Sequence, residues 1–530
     1  VPYKICSFDI EASSSHGDFP LPNKTYKRLS TNLVDIFPTQ IKTNNKDRMQ
    51  KLIVKLINTS FGYDTFNDVD KIYPELQPSK TDLKSLIDVL LEKTINLQNI
   101  QNETIEDIFE RIQNENEEEK EDKKPTINKN QTVSIIDILT NADFSRENKI
   151  QYINHLFKIC EFPKIKGDEV TFIGSTFLKY GEKEPYLNNC LVVGDCDSVE
   201  NVEIKSVDTE KDILLEWSAL IQRENPDIII GYNIFGFDYE FMFQRALAND
   251  CAPKFLELSR QIGFTPSQYD RDEEVEKPTL ENSKIVIASG EYDLRFPLTP
   301  GRLQIDMYAY FRRDFNLSSY KLDDVAGEFI SDSIKKTECI NGETHLYSKN
   351  LAGLNRGDFI HIKINGFSSD YYNNGEKFCV KDILYGVECD SEKYNVIIVS
   401  KNVNIVAKNI EWTMAKDDIT PQDIFRLSCG SATDKAIVAK YCIQDCNLVH
   451  HLMNMIDVIT GYVEMSSICS VPVSYLVFRG QGIKLTRYGA KKCREKNTLM
   501  PDLEKSSSGD GYEGAIVLPP KCAMYMDNPV

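Results

Sequence analysis

The run YKICSFDIEA at residues 3–12 has the apolar pattern of a strand, yet the next comparable stretch, VTFIGSTFLKY, comes only at 170–180. An isolated strand is not stable, so this chain must fold back across everything in between. A structureless loop of that length does not fit inside a compact domain. Apolar spacing near 46–58 and 81–98 predicts helices, so the detour at about 24–165 reads as a small helical insertion. Within it, QNETIEDIFERIQNENEEEKEDKK at 101–124 holds ten Asp or Glu against four Lys or Arg. A run so acidic cannot bury enough surface to order itself and reads as a solvated loop.

At 530 residues the chain is longer than a single core usually supports. Its net charge of −19 argues against a protein wrapped around nucleic acid, but the acidic run alone supplies six of those charges. Fourteen cysteines show no C-x-x-C spacing; the nearest pairs are Cys442 with Cys446 and Cys190 with Cys196. That is the pattern of free thiols in a reducing compartment. No apolar run is long enough to cross a bilayer and no signal peptide opens the chain, so a soluble intracellular protein is expected. The first residue is Val, already within a strand-like run, and the expectation is a fragment cut at both ends.

After residue 180 strands and helices alternate: NNCLVVGD as strand, DILLEWSALIQREN (212–225) as helix, PDIIIGYN as a short buried strand. Such alternation predicts a layered α/β domain. Residues 357–412 turn β-rich and read as a second insertion, a small β module. Helical pattern returns in SATDKAIVAKYCIQDCNLVHHLMNMIDVI, with Ala436, Ala439, Cys442, Leu448 and Leu452 on its apolar side.

Residues two apart in a strand share a face, so Asp9 and Glu11 aim their carboxylates at one spot. Like charges that close repel unless a cation lies between them. A D-x-E triplet alone is common by chance. In PDIIIGYNIFGFDYEF a strand runs into a turn at Asn233, and Phe237 and Asp238 then open a helix at the sheet end where ligands bind. In KYCIQDC, Tyr441 and Asp445 stand four apart on one helix face. Each acid taken singly also fits a helix cap or a surface pair.

The ordered set D-x-E, N-x(3)-F-D, Y-x(3)-D resembles the Exo I, Exo II and Exo III motifs of the proofreading exonuclease in family B DNA polymerases. GRLQIDMYAYFRRDFNLSSYKLDDVA (301–326) is similar to the segment between the second and third motifs. SVPVSYLVFRGQGIKLTRYGAKKCREKN resembles the stretch after the third, and GYEGAIV (511–517) the element joining exonuclease to polymerase. SSSHGDFPLP and TPQDIF resemble the enzymes of large double-stranded DNA viruses of the mimivirus-like kind.

The resemblance implies a ribonuclease H-like 3′–5′ exonuclease domain over 1–458, interrupted at about 24–165 and 335–420. It implies the start of a polymerase palm over 459–530. Asp9, Glu11, Asp238 and Asp445 would hold two Mg²⁺ ions, with Mn²⁺ a substitute; hard oxygen ligands and a two-ion site suit phosphodiester hydrolysis. The resemblance further implies that Tyr441 orients the attacking water and that Asn233 and Phe237 hold the terminal nucleotide. Arg479–Lys496 carries seven Lys or Arg and one Glu. Its Arg479, Lys484, Arg487, Lys491 and Lys492, with Tyr512 and Gly514 beyond, are the expected DNA contacts. A single-stranded 3′ end, a primer-template and a processivity factor are the implied partners, with no membrane. The implied location is an infected host cell, in a cytoplasmic viral factory or the nucleus. No D-x-x-S-L-Y-P or Y-x-D-T-D stretch is present, so the polymerase active site is expected outside this chain. A stand-alone nuclease of the same carboxylate type and a non-catalytic exonuclease-fold scaffold are the alternatives.

Overall fold

The computed structural model describes residues 2–14, 19–41, 45–97, 132–270, 275–287, 290–365, 369–389, 392–401, 403, 409–415 and 419–500. The acidic run at 101–124 and the pair Tyr512 and Gly514 lie outside the described residues.

The opening strand is present as β1 (Lys4–Ser13). The chain then enters a helical unit: α1 (Lys27–Gln40), α2 (Lys46–Ser60), α3 (Lys80–Glu92), α4 (Ile135–Thr140) and α5 (Arg146–Ile159). The helix expected over 81–98 stops at Glu92. Residues Thr94–Asn96 instead pair as a strand with Thr132–Ser134, a distant partnership that local periodicity does not reveal. Each of α2 to α5 starts at an Asn or Ser whose side chain accepts a backbone N–H of the first turn, satisfying one of the donors that a helix start leaves bare.

The unit leaves and rejoins the sheet through a narrow polar neck. The Asp168 N–H donates to the Leu21 carbonyl at 2.8 Å, the Leu21 N–H donates to the Asp168 carboxylate at 2.9 Å, and Lys24 pairs with the same carboxylate at 2.7 Å. Arg245 reaches in from beside, donating to the Pro22 carbonyl at 3.0 Å and to buried Glu210 at 2.7 and 2.9 Å. Gly167 is required there, because a Cβ would sit 2.0 Å from the Pro22 oxygen.

Beyond the neck come β2 (Glu169–Lys179), β3 (Leu187–Val193), β4 (Glu203–Val207), helix α6 (Glu210–Glu224), β5 (Ile228–Gly231), helix α7 (Asp238–Ala248) and β6 (Leu303–Asp306). They form one mixed sheet in the order β6-β5-β1-β2-β3-β4. β1 is central, antiparallel to β2 and parallel to β5. Its apolar residues are buried on both faces, as a covered central strand requires. Trp217 of α6 packs on Phe8 at 4.9 Å between ring centres and donates its N–H to Ser175 of β2.

After α8 (Met307–Asp314) and α9 (Leu322–Phe329) the chain builds the β module. It is larger than the sequence suggested, beginning at Ser331 rather than near 335 or 357. Strands β7 (Ser331–Ile340), β8 (Glu343–Ser348), β9 (Phe359–Asn365), β10 (Lys377–Cys389), β11 (Glu392–Val399) and β12 (Ile410–Ala415) run β9-β10-β11-β8-β7-β12, and β12 pairs back with β9. Every one of these pairings is antiparallel. The module is thus a closed barrel, an architecture that leaves its six ring strands no open edge. The strands at 331–348 escaped notice because SDSIKKTECI is mostly polar; closure, not local apolarity, holds them.

The chain then returns to the sheet through α10 (Pro421–Ser428) and the long α11 (Ala432–Met455), which starts at a Ser431–Asp434 capping box. Asp457, left-handed at φ +50°, turns it into α12 (Val458–Cys469), followed by α13 (Val473–Phe478) and the basic α14 (Gly482–Glu495). Among the described residues no helix is long and apolar enough to cross a membrane.

Candidate active site

Asp9 and Glu11 emerge half-buried on one face of β1, and the pairing with β2 slips register just after Glu11. Such irregularities recur where a strand must aim a side chain. From the other side α11 carries Asp445, 5% exposed. The carboxylates of Asp9, Glu11 and Asp445 have oxygens within 4.8 Å of one another. What lets the helix come so near is Gly174, the residue opposite Asp9 on β2: a Cβ there would stand 2.7 Å from the Cys442 sulfur and 3.2 Å from that of Cys446. The helix therefore rests directly on the strand, and the Cys442 thiol donates to the Asp9 carbonyl at 3.6 Å.

Asp238 opens α7 at the sheet end of β5. The backbone N–H groups of Ile10, between the two acids of β1, and of Asp238 itself favour its ionised form. Asn233, in the preceding turn, is left-handed at φ +63°, and its carbonyl accepts from Gly236 and Phe237. The Asn233 side chain lies where a Cβ on residue 236 would go, at 2.3 Å from its oxygen, so a larger residue there would push that amide aside. Phe237 is half-buried and meets Phe19 edge-on at 5.6 Å between ring centres.

One buried acid went unread in the sequence. Asp306 ends β6 and caps α8; its two oxygens accept from the N–H groups of Asn233 (2.8 Å), Phe235 (2.9 Å) and Tyr308 (2.9 Å). The available signal was an acid closing the apolar strand LQI just before a helix, which looks like an ordinary cap.

Charge is crowded here. Asp9 is held well above the usual carboxylate range, first by burial and then by Asp238, Cys442, Asp445 and Glu11. Asp238 is pushed up to about 8, by burial and then by Asp306, with the backbone N–H groups of Asp238 and Ile10 opposing. Burial raises Asp306 to about 6, its backbone donors opposing. A cluster of oxygen-only donors that so resists ionisation suits a hard divalent cation, which would remove the repulsion.

Residues 153–325 match the family model described as DNA polymerase family B, exonuclease domain. The chain carries a family B exonuclease domain. A DNA polymerase of Phaeocystis pouchetii virus is 38% identical across the whole chain, which covers 52% of that protein. One of Pyramimonas orientalis virus is 32% identical across the whole chain, covering 40% of its own length. One of Acanthamoeba polyphaga mimivirus is 29% identical over 69% of the chain and 27% of its own. The chain thus spans about half the length, or less, of these curated relatives.

The matched stretch of the exonuclease domain contains Asn233, Phe237, Asp238 and Asp306 but neither Asp9 nor Asp445; β1 and α11 bring those two to it. Tyr441, one turn before Asp445, is 8% exposed and packs in a cluster with Phe172, Val192, Ile424 and Val438. The basic residues sit apart, Arg479 just after α13 and the others on α14. Arg479 stacks on Tyr475 at 4.1 Å, Lys484 is half-buried and Arg487 exposed. Lys491 and Lys492 are engaged within the protein: the first caps α12 through the Ser467 and Ile468 carbonyls, both at 3.1 Å, and the second pairs with Glu495 at 2.7 Å.

Proposed function

We propose that this chain is the editing portion of a viral replicative DNA polymerase and removes nucleotides from DNA 3′ ends. The observation that carries the reading is the meeting of Asp9, Glu11 and Asp445, from distant parts of the sequence, with the Asp238 charge helping to hold the Asp9 carboxyl above its usual range. In this reading the four carboxylates hold two Mg²⁺ ions, or Mn²⁺ in their place. Bound there, such ions make water nucleophilic near neutral pH and shield charge on the departing 3′ oxygen. Tyr441 orients the water, Asn233 and Phe237 clasp the last nucleotide, and Arg479, Lys484 and Arg487 touch phosphates. Lys491, Lys492, Tyr512 and Gly514 complete the DNA contacts. Nuclease function belongs to residues 1–458 in the ribonuclease H-like manner, with the helical unit and the barrel as insertions, and 459–530 begin the palm. Synthesis, a processivity factor and work inside an infected cell, in a viral factory or the nucleus, belong to the whole protein under the same reading.

The test is digestion of a 5′-labelled single strand by the purified chain with Mg²⁺. Shortening is expected, with no extension of a primed template. Asp9→Ala should lower the rate by about 10²-fold or more, as loss of one preorganised electrostatic group does. No digestion by the unaltered chain with either Mg²⁺ or Mn²⁺ would instead support the scaffold alternative.

A further inference from the structure

Asp306 lies outside the four-carboxylate set, yet it is 3% exposed and spends both oxygens on backbone. Two of these hydrogen bonds go not to its own helix but to the turn after β5, at Asn233 and Phe235. That turn is short. It starts where Asp306 pairs in register with Gly231, passes through left-handed Asn233 and ends at Asp238. A left-handed non-glycine residue persists only when its surroundings over-determine it. Here the surroundings are the Asp306 carboxylate on the N–H side, the Arg295 N–H on the Phe235 carbonyl at 3.0 Å, and the Phe235 ring against Phe296 and Phe478.

We propose that Asp306 is a positioning residue for the nuclease reaction: through the N–H groups of Asn233 and Phe235 it fixes the turn that aims Asn233, Phe237 and Asp238. The proposal rests on the nuclease reading above. Charge makes the carboxylate suited to the task, since hydrogen bonds to an ionised acceptor are stronger than neutral ones, and it offers acceptor sites to all three donors at once. An amide of the same shape cannot do so, because its NH₂ would face an N–H.

Digestion by the unaltered chain and its loss in Asp9→Ala are measured first; failure there overturns the nuclease reading, not this one. Given that activity, Asp306→Asn should lower kcat by about 10²-fold, the cost of a misplacement of about 1 Å, and raise the Mg²⁺ concentration giving half-maximal rate. In an Asp238→Asn background the same change should cost no more than about threefold, because coupled groups fail together. Asp306→Ser separates the turn from the helix cap. Serine still caps α8 but is too short to span the turn, so it should melt near the unaltered protein and lose rate as Asp306→Asn does. Equal losses in both backgrounds, full activity in either variant, or loss of the folded state in both would overturn the proposal, the last making Asp306 a requirement of the fold alone.

Discussion

The helical unit closes a core of its own around Leu33, Ile53, Leu83, Ile153 and Phe157, whereas Ile362, Val380, Ile397 and Trp412 of the barrel belong to the same buried cluster as Phe8 and Trp217 of the sheet. Both regions are excursions from one sheet, yet they are attached in opposite ways. The first meets the sheet through hydrogen bonds and ion pairs at its neck. The second is welded to it by continuous apolar packing, and its end faces α11 across a cavity of about 210 Å³ lined by Asp358, Phe359, Met414, Asp445, Leu448 and His451. Apolar contact has no direction and transmits displacement, because cores are close-packed. A polar neck fixes the place of attachment while leaving the two cores mechanically separate. Damage in the barrel should therefore reach Asp445, and damage in the helical unit should not.

Among changes outside the site, the largest effect on nuclease rate is expected from Trp412→Ala. Trp412 is 1% exposed and its N–H bonds Ser348 at 3.2 Å. Removing it should cost about 3–5 kcal/mol and slow digestion about tenfold or more as the apolar packing shared by barrel and sheet loosens. Denaturant melts and rates measured on one preparation would show both; a normal rate would break the claim that the barrel supports the site. Next comes the neck. Arg245→Ala leaves Glu210 buried without its cation, a change costing about 3–5 kcal/mol. Because Arg245 rides on α7, which begins at Asp238, a fall in rate of a few-fold should accompany the lower melting temperature.

Phe157→Ala should lower stability by about 3–5 kcal/mol, seen as early melting of the helical unit alone, with the digestion rate unchanged. Phe157 is fully buried against Tyr26 and Phe162 within that separate core. A parallel loss of activity would mean that the two cores are coupled after all. The smallest effect is in pH. Asp9 and Asp238 hold protons more tightly folded than unfolded, so without metal their contribution to stability is present at low pH and lost as pH rises through about 8. Divalent ions should accordingly raise the melting temperature more at alkaline than at acidic pH. In Asp238→Asn that difference should shrink; an unchanged difference would remove the crowded carboxylates as its cause.

Much of the site was legible because its geometry is local. Alternation along β1 puts Asp9 and Glu11 on one face, and a four-residue step puts Tyr441 and Asp445 on another. Hidden features were those whose cause lies across the fold. Gly174 looks like any strand glycine until α11 is laid over it, and Asp306 looks like a cap until the Asn233 turn is brought beside it. The same holds for architecture. Helix α1, KRLSTNLVDIFPTQ, carries Pro38 and three hydroxyl residues, poor local helix signals, and forms because Leu29, Leu33 and Phe37 have a core to face. Barrel closure through β9 and β12 leaves no mark in either strand alone.

The neck has one more consequence. Leu21 and Asp168 already lie hydrogen-bonded side by side, and Lys24 bridges to Ile165 just beyond. The excursion therefore starts and finishes at the same spot, and the sheet feels only that pair, whatever the length of chain strung between. Closing a longer loop costs only about 0.6 kcal/mol per doubling. Size polymorphism is thus cheap at this seam: sister sheets could shed the helical unit for a tight turn, or trade it for another fold, and β1 would still find β2.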